Sequence, residues 1–240
     1  MIRVSIVGAS GYTGSELIRF LLYHPATEIV HCTSESFLNQ PIASIHPSLS
    51  GRCDLKTEKC NVSAVAQDSD LVFLCLPHGH SARMAKQFLD KKVKVIDLSA
   101  DFRLKSSSVY QKWYGIQHPY PWLLKKAVYG LAEIYRIEIA KAELVANPGC
   151  YATATLLGAL PLLKKELVKS DSIIVDAKSG ISGAGKKLDS RYLFSEANEN
   201  FLAYAVSQHR HCPEIEQELS RACNTAMNIT FVPHPYVTEI

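Results

Sequence analysis

The N-terminal stretch constrains this chain more than any other. Ile2 to Val7 reads as a mainly apolar strand of the kind found in parallel sheets covered on both faces. Gly8-Ala9-Ser10-Gly11-Tyr12-Thr13-Gly14 follows at once, and the pattern then predicts an amphipathic helix from about Ser15 to Tyr23. Strand, glycine turn and helix in this order open a doubly wound α/β sheet. The glycines admit a tight turn and a close phosphate, and the N–H groups of the helix start attract an anion. The spacing is GxxGxxG rather than GxGxxG, so the motif reads as a phosphate cradle or as a plain tight turn.

Further strands are predicted at Glu28–Thr33, Asp70–Leu76, Val93–Leu98 and Glu143–Ala146, with a helix from Ser81 to Leu89. This alternation gives a parallel sheet whose ligands sit at the C-terminal ends of its strands. Three loops fall there. In Thr33-Ser34-Glu35-Ser36 the acid would suit the ribose hydroxyls of NAD. The small hydroxyls beside it would suit a 2′-phosphate instead, which favours NADP unless Ser34 and Ser36 are ordinary loop polars. Pro77-His78-Gly79-His80-Ser81 offers two histidines without a third metal ligand, so it reads as a contact to the nicotinamide half of a cofactor. Ser99-Ala100-Asp101-Phe102-Arg103 is the third. Ser36–Asp68 is mixed, with a weak strand near Cys53–Lys56. Val109–Tyr135 is dense in Tyr, Trp and Pro and reads as aromatic loop packing, with a turn at Gly130-Leu131-Ala132-Glu133.

The second constraining stretch is Asn147-Pro148-Gly149-Cys150-Tyr151-Ala152-Thr153. Pro148 and Gly149 end the preceding strand, and apolar residues at helical spacing (Ala154, Leu157, Leu160, Leu163) predict a helix from Ala152 to Lys165. Cys150 thus falls at or beside the first turn, where backbone N–H groups are unpaired. An ordinary thiol is only about 3% thiolate at pH 7, and a two-unit activation takes roughly 2.7 kcal/mol. A helix end supplies ~0.3–1 kcal/mol. A nucleophile here needs a second group, such as a histidine; the other reading is a small buried hydrophobe.

Beyond it, Ser172–Ala177 reads as a strand leading to Lys178-Ser179-Gly180-Ile181-Ser182-Gly183-Ala184-Gly185, either an anion-binding turn or a flexible connection. His209-Arg210-His211 precedes a helix started by Pro213 and running from Glu214 to Arg221, and supplies candidates for the missing partner of Cys150. Asn228–Val232 closes as a strand.

With 240 residues, 47% of them hydrophobic, the chain can bury one large core or two small ones. The boundary is expected at 147/148, giving a nucleotide-binding domain at 1–147 and a catalytic domain at 148–240. A net charge of +3 without a Lys/Arg block argues against nucleic acid. Seven cysteines without CxxC pairing, and an N-terminus that runs straight into a strand rather than a signal peptide, predict reduced thiols in a cytoplasmic protein. No apolar run is long enough to span a bilayer.

The glycine turn, Leu76-Pro77-His78-Gly79, Asp97–Arg103, Tyr129–Glu133, Asn147–Tyr151, Ser179–Gly185 and His209–Ile215 occur in one order. Together they closely resemble the N-acetyl-gamma-glutamyl-phosphate reductase family of the semialdehyde dehydrogenase superfamily, from Ile2 to about His234. The resemblance implies a Rossmann-type sheet followed by an α+β catalytic and dimerisation domain, NADPH as cofactor, and a place in arginine biosynthesis. The acyl phosphate would be attacked by Cys150, would release inorganic phosphate and would be reduced as a thioester, with His209 as acid/base. Gly8, Ser10, Gly11, Tyr12, Thr13, Gly14, Ser34, Pro77, His78, Gly79, Ser182 and Gly183 would bind cofactor, the last two also suiting substrate phosphate. Arg103, Tyr204 and Asn147 would contact substrate, and no metal is implied. Family members are longer. Here the expected continuation after His234 gives way to Pro235–Ile240, so the second domain is expected to be incomplete, with a homo-oligomer formed if it is complete. The alternatives are a reductase of aminoadipyl phosphate or another semialdehyde dehydrogenase, and a catalytically silent nucleotide-binding fragment.

Overall fold

The computed structural model describes residues 1–186 and 188–237; Thr238, Glu239 and Ile240 of the C-terminal tail lie outside them. The chain divides into two compact units, Met1–Pro148 and Gly149–Ile240.

The first unit begins with β1 (Ile2–Val7), α1 (Tyr12–Leu21), β2 (Thr27–Thr33), the single turn α2 (Ile42–Ile45), β3 (Thr57–Glu58) and α3 (Val62–Asp68). It continues through β4 (Leu71–Leu74), α4 (Ser81–Asp90), β5 (Lys94–Asp97), α5 (Ser107–Tyr114) and α6 (Pro121–Lys126). It ends with β6 (Val128–Tyr129), α7 (Ala132–Lys141) and β7 (Leu144–Ala146). The strands form one parallel seven-stranded sheet in the order β3-β2-β1-β4-β5-β7-β6. Successive strand residues face opposite sides, and β4 shows that both sides are covered. Val72 and Leu74 belong to a core with Phe88, Val95 and Leu124, while Leu71 and Phe73 pack on a second core with Ile6, Ile18 and Ile42. The chain leaves β1 toward β2 in one direction and β4 toward β5 in the other. The crevice between the ends of β1 and β4 is therefore the topological switch point, where ligands of such sheets bind.

The expected sheet is present, with three local differences. Helix α1 starts at Tyr12 rather than Ser15, because Gly11 takes the extended N-cap conformation and Gly14 packs against Ala9 so closely that a Cβ would lie 2.8 Å from its backbone. The weak strand near Cys53–Lys56 lies instead at Thr57–Glu58, which pair with Cys32 and Thr33, and Asn61 caps α3 by accepting from the N–H groups of Ser63 and Ala64. Val109–Tyr135 is not a packed loop. Its aromatics do pack, with Tyr110 and Tyr129 fully buried, but from α5 and β6.

The second unit contains α8 (Cys150–Lys164), β8 (Ile173–Gly180), the single turn α9 (Phe194–Ala197), α10 (Cys212–Cys223) and β9 (Ile229–Tyr236). Leu156, Leu160 and Leu163 of α8, Ile215 and Leu219 of α10, and Phe231 of β9 are buried, each worth roughly 1.5–3 kcal/mol. β8 and β9 pair in parallel from Ile173↔Ile229 to Gly180↔Tyr236, so both outrun their predicted ends. Prolines inside β9 look incompatible with a strand, yet Phe231 and Pro233 turn their carbonyls to the opposite edge, accepting from the N–H groups of Ser207 and Tyr204. A strand residue's N–H and C=O point the same way. The N–H that Pro233 lacks therefore belongs to that edge, and its absence removes no rung to β8.

Candidate active site

In the first unit the turn after β1 is fixed from several directions. Gly8 has φ +90°, and a Cβ there would lie 2.5 Å from the carbonyl oxygen of Cys75, so only glycine fits. The N–H groups of Gly8 and Ala9 both donate to Thr33 O (3.1 and 2.9 Å), and His46 Nε2 lies 2.9 Å from Ala9 O. Ser34 donates through Oγ to Ser10 Oγ at 3.0 Å, joining the ends of β1 and β2. These segments and the end of β4 wall a cavity of about 570 Å³ lined by Gly8, Ser10, Gly11, Ser34, Glu35, Ser36, Pro77 and His80. Tyr12, Thr13 and Gly14 form the first turn of α1 and are not among the residues that line this cavity; the N-cap Gly11, which has no side-chain cap, does line it. Size, glycine cradle and free helix start fit a dinucleotide.

Not every predicted contact faces this cavity. The His78 ring packs edge-on against Tyr114 (5.5 Å), and the Gly79 N–H donates to Asp101 Oδ1 (2.7 Å). The Asp101 carboxylate also accepts from Ala82 N and Tyr110 Oη (2.9 and 2.7 Å), so it clamps the loop before α4. Asp97 accepts from the hydroxyls of Ser81 and Ser99 (2.6 and 2.7 Å). Burial pushes its carboxyl up to about 6, opposed by those two hydroxyls and reinforced by the charge of Asp101. Arg103, predicted at the substrate, is buried and donates to Asn147 O and Leu98 O (2.8 and 2.9 Å). Asn147 donates its own N–H to Asp97 O (2.8 Å) and, through Nδ2, to Pro148 O (3.2 Å). Both thereby tie together the ends of β5 and β7.

The second unit holds the thiol. Cys150 is the first residue of α8 and is exposed, which removes the reading of it as a core cysteine. Gly149, the N-cap, has no side chain with which to close the helix end. Its N–H donates to Oε1 of Glu214 (2.8 Å), while its carbonyl accepts from the N–H and hydroxyl of Thr153 (2.8 and 3.1 Å). Glu214 is almost wholly buried in the first turn of α10. From sequence it reads as a helix-start acid; only the packing of α10 on α8 reveals that it holds the turn before Cys150.

Tyr151 is buried and carries the next layer, its ring edge-on to His209 (5.5 Å), His211 (5.8 Å) and Phe231 (5.4 Å). Tyr204 Oη lies 3.4 Å from Tyr151 Oη and 3.5 Å from His209 Nε2. Burial pushes the Tyr204 hydroxyl up, as do Tyr151 and, at the end of the series, the charge of Cys150. The His211 N–H donates to His209 Nδ1 (3.1 Å). Burial pushes His209 down to about 4, helped by the charges of His211 and Arg210 and opposed by Glu214. The structure thus gathers Cys150, His209 and Tyr204 in one unit. Ala205 and Ser207 hold positive φ (44° and 53°), a strain of order 1 kcal/mol each. Ser182 and Gly183 belong to the turn after β8, and Ile181 beside them lines a cavity of about 200 Å³ with Tyr204, Arg191 and Asn200. Among the described residues no cluster of three or more His, Cys, Asp or Glu is placed to hold a metal ion, and no helix is long and apolar enough to cross a membrane.

Residues 3–142 match the family model described as semialdehyde dehydrogenase, NAD binding domain, and residues 150–238 that described as semialdehyde dehydrogenase, dimerisation domain. An N-acetyl-gamma-glutamyl-phosphate reductase of Heliobacterium modesticaldum is 48% identical over 237 residues, 98% of this chain and 68% of that protein. That of Pelotomaculum thermopropionicum is 48% identical over 97% of this chain and 67% of its own. The chain belongs to the semialdehyde dehydrogenase family, among its N-acetyl-gamma-glutamyl-phosphate reductases. Solved semialdehyde dehydrogenases share the fold. An aspartate semialdehyde dehydrogenase with NADP from Candida albicans superposes with TM-score 0.71 at 13% identity, covering 100% of this chain and 69% of that one. Aspartate semialdehyde dehydrogenase II of Vibrio cholerae gives 0.70 at 15%, covering 98% and 70%. In the family's terms, the glycine turn lies in the NAD binding domain and Cys150, Tyr204 and His209 in the dimerisation domain.

Proposed function

We propose that this chain catalyses the NADPH-dependent reductive dephosphorylation of N-acetyl-gamma-glutamyl phosphate to N-acetylglutamate semialdehyde, in arginine biosynthesis. The observation that carries the reading is an exposed thiol at an uncapped helix start, in one unit with a neutral histidine and a half-buried tyrosine. The reductases named above, at 48% identity, supply the substrate.

Cys150 attacks the acyl carbon. A C–S bond forms as the bond to the phosphate oxygen breaks, and inorganic phosphate leaves. The thioester keeps the acyl group on the protein, so the later reaction is intramolecular. Gly8, Ser10, Gly11, Ser34 and Pro77, with the first turn of α1 (Tyr12, Thr13, Gly14), hold NADPH, and Ser34 with Ser36 suits the 2′-phosphate. When bound, the cofactor supplies a hydride. His78 and Gly79 shape the loop beneath it, and Ser182 and Gly183 offer backbone N–H groups to phosphate. Tyr204 lines the acyl side, while Arg103 and Asn147 keep the strand ends in place for substrate. The protein is cytoplasmic and self-associates through its second unit.

The test is the reverse reaction of this chain: N-acetylglutamate semialdehyde, NADP and phosphate, followed by NADPH absorbance. Phosphate-dependent NADPH formation is expected, falling at least about a thousandfold in Cys150→Ser. Turnover unchanged in Cys150→Ser, or none in the unaltered chain, refutes the reading. Faster oxidation of aminoadipate semialdehyde reassigns the substrate.

A further inference from the structure

We infer that His46 is a positioning residue for the cofactor: it locks the peptide unit between Ala9 and Ser10 so that the Ser10 N–H faces the pyrophosphate of a bound dinucleotide. The inference rests on the crevice of the first unit and not on the reading of Cys150. His46 sits directly after the single turn α2, in a stretch whose sequence pattern is mixed. Its N–H donates to Ile42 O (2.9 Å), and its carbonyl accepts from the Leu49 N–H (2.9 Å). Ile42 and Leu49 are fully buried in the core that also holds Ile6, Ala9 and Ile18, so the backbone is anchored on both sides of the histidine. The side chain is buried as well, and Nε2 lies 2.9 Å from Ala9 O. A carbonyl oxygen only accepts, so Nε2 carries a proton and the ring is the donor.

Ala9 is fully buried, and a buried carbonyl needs a partner. The first turn of α1 closes on the same oxygen, since a Cβ on Gly14 would lie 2.8 Å from it. In a planar trans peptide the C=O and N–H point in opposite directions. The Ala9 carbonyl points into the core toward His46, so the N–H of the same unit, that of Ser10, points away from it. Gly8, Ser10 and Gly11 line the crevice, whereas Ala9 and His46 do not. Ser10 is steadied from the β2 side by the hydroxyl of Ser34, which donates to its Oγ at 3.0 Å. A half-turn of the Ala9–Ser10 unit would put the carbonyl oxygen where the N–H stands. A dipole that attracts a phosphate would then repel one. That rotation breaks the bond to His46, so the bond favours the form of the turn that accepts the anion.

The test is NADP binding by the full chain, followed calorimetrically with no substrate present, so its outcome is separate from the fate of the proposed function. His46→Leu removes the donor at similar volume, while His46→Gln places an amide N–H near the position of Nε2. Leucine is expected to raise the Kd for NADP by about ten- to a hundredfold, the worth of one hydrogen bond to a charged group. Glutamine is expected to hold it within about threefold of the unaltered chain. Adenosine 2′-phosphate, which has the ribose phosphate but no pyrophosphate, is the comparison ligand, and its Kd should be the same in all three proteins. A merely structural histidine would weaken both ligands alike. An unchanged Kd for NADP in His46→Leu, glutamine as weak as leucine, or equal losses for the two ligands overturns the inference. His46→Met is a second variant without a donor should leucine prevent folding, and failure of both to fold overturns the inference too.

Discussion

At Cys150 the helix end and the side chains divide the work. The uncapped start of α8 gives an exposed thiol but, at ~0.3–1 kcal/mol, little activation. On the proposed reading of Cys150 as nucleophile, the remainder falls to His209 and Tyr204. Because burial, helped by the charges of His211 and Arg210, pushes His209 down to about 4, its neutral form persists through the range where an ordinary histidine, near 6.5, would protonate. The folded state then binds fewer protons than the unfolded chain between those values, so this group's contribution to stability is present above pH 6.5 and is lost as pH falls toward 4. Thioester formation from acyl phosphate, followed from pH 5 to 7 by phosphate release, is expected to show no step near 6.5 that depends on His209. A step there in the unaltered chain that vanishes in His209→Gln would contradict this.

At the scale of elements, the site depends on α10 being pinned to the start of α8. Glu214 is the pin, a buried carboxylate taking the Gly149 N–H at 2.8 Å. Glu214→Ala leaves that buried N–H unsatisfied and is expected to lower stability by about 1–3 kcal/mol, with slower Cys150 alkylation. Glu214→Gln retains an acceptor and should recover most of the alkylation rate. Denaturant unfolding and alkylation of both variants check this, and equal behaviour of Ala and Gln would contradict it. The sequence made β1, the glycine turn, β4, β5 and α8 legible because each combines a strong apolar period with Gly or Pro punctuation. It also singled out Cys150 and His209 as candidates, and both lie in the second unit. It did not reveal Glu214 or Asp101, whose roles come from burial and from backbone N–H groups distant in the chain. Nor did it separate α5 and α6 from loop, because their aromatics and prolines imitate one. The structural bonds of Arg103 and Asn147 were equally hidden, since a motif names residues and not their partners. β9 outran its prediction because a proline's missing N–H is harmless only on the edge away from the partner strand.

For the whole molecule, the two units carry separable tasks. The first offers a parallel sheet with a nucleotide-sized crevice at its switch point; the second offers an exposed thiol, proposed as the nucleophile, in the same unit as a neutral, half-buried histidine. The family models divide the chain the same way, at residues 3–142 and 150–238. Covalent capture by the second unit requires no cofactor, which isolates the central claim. The most direct measurement is the intact mass of the chain after N-acetyl-gamma-glutamyl phosphate is added without NADPH. The account predicts one N-acetylglutamyl group on Cys150, absent in Cys150→Ser and discharged when NADPH is supplied. An unmodified chain, or an adduct that survives in Cys150→Ser, would contradict it.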